Sequence, residues 1–225
     1  MGTLYIVATP IGNLEDITLR ALRVLAEVTL ILCEDTRTSS TLLQHYKITT
    51  PTKSYHQHSS ITVARNILAH LAAGHDLALI SDAGTPGISD PGTRLVAQVV
   101  AAGHTVVPIP GASALICTLQ AAGVDTSSFN FLGFIPHKKG RQTLITEIIN
   151  SKQTVVFYES IHRLNKTIQA LSQSKKYIVV GRELTKTFEE FIRGDAATVA
   201  QQIAHHPTLK GECVVVVADG TAAPR

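Results

Sequence analysis

Compact runs and longer amphipathic stretches alternate along this chain with few breaks. TLYIVA (3–8), VTLILC (28–33), PTKSYH (51–56), LALI (77–80) and TVVPI (105–109) read as strands; 18–27, 38–46, 60–73, 92–102 and 112–121 read as helices. Strands alternating with helices predict a largely parallel sheet. After 121–128, AAGVDTSS, where Gly and turn formers close a helix, the pattern changes. FNFLGF (129–134), TVVFY (154–158), KYIVVG (176–181) and ECVVVVAD (212–219) read as strands, with a further strand expected at TFEEFIR (187–193). Helices fill 139–150, 160–171 and 195–205. Fewer crossover helices and more consecutive strands predict a mixed sheet. The expectation is an α/β protein of two domains, 1–115 with a mainly parallel sheet and 124–220 with a mixed one. No internal repeat or low-complexity segment interrupts them.

The run LALI passes directly into Ser81-Asp82-Ala83-Gly84-Thr85-Pro86-Gly87-Ile88-Ser89-Asp90-Pro91-Gly92. A long loop of this kind at a strand's C-terminal end is where open α/β sheets bind ligands. Gly lets backbone approach a ligand and Pro holds the loop in shape. Asp82 stands at the strand end as an acceptor for a ligand amine or hydroxyl. Asp90 is expected to cap the next helix, with Pro91 at its first position. Thr9–Asp16, Glu34–Arg37, His56–His58 and Pro108–Ala114 follow the other strands. Parallel strands would gather all these loops on one rim. The rim carries no G-x-G-x-x-G, no Walker loop and no nucleophile elbow, which argues against dinucleotide, P-loop and serine-hydrolase chemistry. His56 and His58 lack further spaced ligands, so no metal is expected.

Composition narrows the class. The 225 residues are 44% hydrophobic and 16% charged, as in a compact globular protein. No apolar run is long enough to span a membrane. MGTLYIVATP enters a strand without a basic segment, so neither a leader nor a location outside the cytoplasm is expected. Cys33, Cys117 and Cys213 are far apart in apolar surroundings and read as buried free thiols. The net charge of +3 is uneven: 7 Lys/Arg against 8 Asp/Glu up to Gly111, then 13 against 9. The densest basic spot is His137-Lys138-Lys139-Gly140-Arg141.

TPIGNLEDITLRAL, CEDTRTS, LISDAGTPGISDPG, PIPGASA, FLGFIP, VVFYESIHR, GRELTKTFEE and KGECVVVV occur in this order and span almost the whole chain. Jointly they resemble the tetrapyrrole (corrin/porphyrin) methylase superfamily, and within it the branch of ribose 2′-O-methyltransferases acting on small-subunit ribosomal RNA. The resemblance implies two α/β domains with S-adenosylmethionine in the cleft between them, a homodimer, and no metal. It further implies that Pro10, Asp82, Ala83, Gly84, Ile88, Ser113 and Ala114 hold the cofactor from the first domain. Gly133, Tyr158, Leu184 and Glu212 would do so from the second. Two departures stand out. YHQHS has no acidic residue between its histidines, and only ADGTAAPR follows the last strand where longer members carry a small helical extension.

Methyl transfer from a sulfonium asks chiefly for in-line positioning, an effect of about 7–11 kcal/mol in well-oriented cases. A ribose hydroxyl is a weak acid, so a base, or a cation that favours its alkoxide, would help. Glu183 and Lys186 in GRELTK, with Glu34, Asp35 and Arg37, are the candidate catalytic groups. Lys138, Lys139, Arg141 and Arg163 are the candidate RNA contacts. The product that the resemblance implies is a methylated cytidine ribose in the decoding region. Competing readings are C-methylation of a tetrapyrrole and a non-catalytic RNA-binding module on the same fold.

Overall fold

The computed structural model describes residues 1–56, 61–90 and 92–220, and divides the chain into two compact units, Met1–Ser113 and Ala114–Arg225. The first is a five-stranded sheet of β1 (Thr3–Val7), β2 (Leu30–Cys33), β3 (Thr52–Ser54), β4 (Leu77–Ile80) and β5 (Thr105–Ile109), in the order β3-β2-β4-β1-β5. Every pairing is parallel. The connections carry α1 (Leu19–Glu27), α2 (Thr36–His45), α3 (Ile61–Ala72) and α4 (Thr93–Ala101).

Both faces of this sheet are covered, which explains the unbroken apolar run of β4. Leu77 and Leu79 pack with Leu71, Leu95 and Val99 from α3 and α4, whereas Ala78 and Ile80 pack with Val24 and Leu25 from α1. Thr18 caps α1 by accepting the Ala21 N–H, and Asp35 caps α2 by accepting the Arg37 N–H.

The second unit begins with α5 (Ala114–Ala122), followed by β6 (Phe129–Phe134), α6 (Arg141–Asn150), β7 (Thr154–Ser160), α7 (Ile161–Leu171), β8 (Lys176–Arg182), β9 (Glu190–Asp195), α8 (Ala196–Ala204) and β10 (Glu212–Asp219). Its sheet runs β6-β7-β10-β8-β9. Only the β6–β7 pairing is parallel among the described strands. Helices α6, α7 and α8 bury Ile148, Ile168 and Val199 against Phe157, Val180 and Val215. The other face receives α5, which packs on β8 and β10. A Cβ at Gly181 would come within 3.0 Å of Thr118 Oγ1 on α5, so a glycine there permits the close approach.

Three details differ from the sequence pattern. Helix α5, grouped above with the alternating first half, packs on the second sheet, because Leu115, Thr118, Leu119 and Ala122 form its buried face there. Asp90 does not cap α4. Gly92, at φ +146°, stands in that position and contributes no side-chain bond. Pro91 lies outside the described residues, as does His58. The strand expected over TFEEFIR starts only at Glu190, after a looped stretch in which Glu183 (φ +49°) and Thr185 (φ +65°) adopt left-handed backbone. Cys33 and Cys213 are buried free thiols as expected, while Cys117 is half-buried. No helix among the described residues is long and apolar enough to cross a membrane.

Candidate functional site

In the first unit the loops after β1, β2, β4 and β5 leave the same edge of a parallel sheet, and hydrogen bonds lock them together. The Thr9 N–H donates to Gly84 O (2.9 Å) and the Gly84 N–H to Thr9 O (3.0 Å). The Thr85 hydroxyl donates to Ala112 O (3.1 Å), tying the β4 loop to the β5 loop. The Asp35 N–H donates to Asp82 Oδ1 (3.1 Å), tying the β2 loop to the β4 loop. Gly84 (φ +78°) makes this closeness possible, since a Cβ there would press to 3.3 Å on Ile11 Cγ2. A cavity of about 420 Å³ opens beside the bridge, lined in part by Thr9, Pro10, Leu14, Ser39, Ser81 and Asp82. Ala83 and Ile88 are exposed on the same loop. Ser113 closes the first unit and Ala114 opens α5.

The electrostatics of this rim are one-sided. Burial, followed by the nearby Glu34 and Asp82 charges, pushes the Asp90 carboxyl up to about 6 against the pull of a Ser81 hydrogen bond. Burial and the Asp82 charge also raise Glu34, with His56 opposing. Three carboxylates therefore crowd a site that favours a positively charged guest. Asp35 and Arg37 behave differently. Hydrogen bonds from the Arg37 side chain and backbone hold Asp35 down at about 2, in an ion pair of 2.6 Å, and Arg37 points into solvent. They cap α2 rather than add a free charge. No group of three metal-ligating side chains assembles among the described residues.

In the second unit, Lys186 Nζ lies 2.9 Å from Glu183 Oε1 and 2.9 Å from Glu212 Oε2. Burial lowers the affinity of Lys186 for its proton, but the two carboxylates more than offset that, and its pKa is raised. Burial raises Glu183, and bonds from Lys186 and the Glu212 N–H overcome it, so its pKa is lowered. The pair is thus fixed as ammonium and carboxylate. Leu184 is buried between these charged neighbours in sequence. Gly133 (φ +62°) sits where the β6–β7 register shifts, and the Tyr158 ring lies 5.1 Å from Phe131 and 5.3 Å from Phe134.

The candidate RNA contacts separate into two kinds. Lys138 and Lys139 face solvent. Arg141 and Arg163 turn inward onto Glu159, whose side chain is fully buried, at 3.2 and 2.6 Å. Thr167 and the Ser160 N–H complete the shell of that carboxylate. Sequence reasoning missed Asp90 as a titrating member of the rim, and it missed Arg182 and Gly211, described below. The only trace of Gly211 was its place in KGECVVVV.

An α/β unit with a glycine-rich, anionic rim, followed by a mixed sheet, defines a methylase-type fold, and the comparisons agree. Residues 3–200 match the family model of the tetrapyrrole (corrin/porphyrin) methylases, and the chain belongs to that family. It is 47% identical to ribosomal RNA small subunit methyltransferase I of Halalkalibacterium halodurans over 97% of this chain and 77% of the relative. It is 46% identical to the protein of that name from Synechocystis, over 100% and 82%. Among solved structures, cobalt precorrin-4 methyltransferase superposes with a TM-score of 0.70 at 16% identity, covering 99% of this chain and 96% of that one. Diphthine synthase gives 0.73 at 11%, covering 96% and 90%, a likeness of fold. The methyltransferases of this family use S-adenosylmethionine, and an anionic, glycine-lined rim suits a molecule with an ammonium and a sulfonium.

Proposed function

We propose that this chain is an S-adenosylmethionine-dependent methyltransferase that modifies the 2′-hydroxyl of a cytidine ribose in the decoding region of small-subunit ribosomal RNA. The carrying observation is the 47% identity, over 97% of the chain, to a relative named as a small-subunit rRNA methyltransferase. S-adenosylmethionine supplies an electrophilic methyl group on a positively charged sulfur. Asp82, with Glu34 and Asp90 behind it, attracts that positive charge, and the backbone at Ala83, Gly84 and Ile88, with Pro10, Ser113 and Ala114, shapes the seat. Gly133, Tyr158 and Leu184 are the corresponding assignments in the second unit, and the Glu212 carboxylate, paired with Lys186, is assigned to the charged loop instead.

Lys186, held protonated, favours negative charge growing on the acceptor oxygen. Glu183 is too weak a base in its ion pair to be the proton acceptor, and its task is to hold Lys186. Asp35 and Arg37 support the rim through the α2 cap. Lys138 and Lys139 contact RNA phosphates, so alanine at both should flatten the salt dependence of binding by about 2 in slope. A closed homodimer acting in the cytoplasm completes the reading, and light scattering that gave a monomer mass would remove the dimer. The reaction itself is tested with labelled S-adenosylmethionine and small subunits lacking the modification. Label in a ribose of the RNA supports the proposal. Label on a base, or in a tetrapyrrole only, refutes it.

A further inference from the structure

The stretch from Glu183 to Glu189 is held at both ends. Its first turn contains the two left-handed, non-glycine residues Glu183 and Thr185, a strained conformation that persists only when the surroundings enforce it. The enforcement is visible. The Glu183 N–H donates to Glu212 O (3.0 Å), and the Glu212 N–H donates back to Glu183 Oε1 (3.1 Å). The Thr185 N–H donates to Glu189 Oε2 (2.6 Å). Buried Arg182 pairs with Glu190 and donates to Lys210 O (2.6 Å), fastening the loop to the 210–212 turn.

Between Lys210 and Glu212 stands Gly211, at φ +98°. A Cβ placed there would lie 2.5 Å from Glu183 Cγ and closer still to Cδ and Oε1. The space that a side chain would fill is occupied by the Glu183 carboxylate. That carboxylate reaches Lys186 Nζ and the Glu212 N–H from this position.

We propose that Gly211 is a positioning residue. Its missing side chain lets the Glu183 carboxylate fold against the 211–212 turn and hold the Lys186 ammonium beside Glu212. The inference rests on the assignment of Lys186 as the cation facing the acceptor oxygen. A methyl group at 211 would expel the carboxylate, cutting one of the two ion pairs that fix Lys186 and the bond from the Glu212 N–H. Neither the rim of the first unit nor the solvent-facing lysines would feel the change.

A double-mutant cycle with single-turnover methylation of small subunits decides it. Gly211→Ala should lower the rate at saturating substrates at least tenfold, with KM for S-adenosylmethionine unchanged. In a Glu183→Ala background the same substitution should cost less than twofold, because the group it displaces is gone. Gly74→Ala, at φ +89° with nothing within 4 Å of its Cβ, carries a comparable backbone penalty without the clash and should leave the rate untouched. If Gly211→Ala is too unstable to purify, Gly211→Asn tolerates the left-handed backbone better and is expected to give the same cycle. Equal losses in both backgrounds would show backbone strain alone and overturn the proposal. Full activity of Lys186→Met would instead overturn the assignment of Lys186 on which the proposal rests.

Discussion

The rim of the first unit and the charged loop of the second solve opposite electrostatic problems. At the rim, burial first, and then the crowding of Glu34, Asp82 and Asp90, raises the pKa of Glu34 and Asp90. In the loop, Lys186 lies between the Glu183 and Glu212 carboxylates and pairs with both, with the carboxylate of Glu183 lowered and the ammonium of Lys186 raised. An unbalanced cluster gains by admitting an ion of the opposite sign, so it is suited to binding. A cluster whose charges are paired holds its protonation states fixed, so it is suited to presenting one charge at one point. Under the proposed function, the difference separates a seat for a cationic molecule from a device acting on the reaction.

This division of labour predicts that losing the loop cation costs rate and spares binding. Lys186→Met should reduce turnover by about 10²–10³-fold, the range seen when one donor to a developing oxyanion is removed. Calorimetry should show S-adenosylmethionine binding unchanged. A collapse of cofactor affinity at constant rate would reverse the assignments of the two regions.

An effect of similar size is on stability. Glu159→Ala strands Arg141 and Arg163 without their buried partner and should cost about 3–5 kcal/mol in chemical denaturation of the full chain. A loss below 1 kcal/mol would mean that the two guanidinium groups find water without difficulty.

Asp82→Ala probes the rim and should weaken S-adenosylmethionine binding on the order of tenfold, the scale of one charge-assisted hydrogen bond. The smallest effect is a pH dependence. Asp90 titrates at about 6 in the folded chain, above the ordinary 3.8. A raised carboxyl favours the protonated fold, so its contribution is complete below pH 3.8 and is lost as pH rises through 6. A cationic guest favours the ionised form, so cofactor affinity should rise from pH 5 to pH 7 with release of a proton. Calorimetry in two buffers of different ionisation heat measures that release, and Asp90→Asn should reduce it.

Much of the fold was legible because its sheets are buried on both faces. LALI and CVVVV admit no polar interruption, and the intervening helices show their apolar stripes. The ownership of α5 was not legible, since it is decided by the packing of Leu115, Thr118, Leu119 and Ala122 on strands distant in sequence, with Thr118 fitted closely on Gly181. At the candidate site, phrases such as LISDAGTPGISDPG and GRELTK pointed to loops without showing what each side chain pairs with. They could not separate Arg37, which caps its own helix through Asp35, from Lys186, whose partners come from two places in the chain. Nor could they show that Arg141 and Arg163 turn inward while Lys138 and Lys139 face water. Such distinctions depend on contacts between distant residues, as with Gly211 and Glu183.

The central claim is that this chain places one methyl group on one ribose of small-subunit ribosomal RNA. Mass spectrometry of that RNA, from cells with and without the protein, measures it directly. The account predicts a single cytidine in the decoding region that lacks one methyl on its ribose, with its base intact, restored by the native chain and not by Lys186→Met. An unchanged set of ribose methyl groups, or a methyl missing from a base instead, would contradict it.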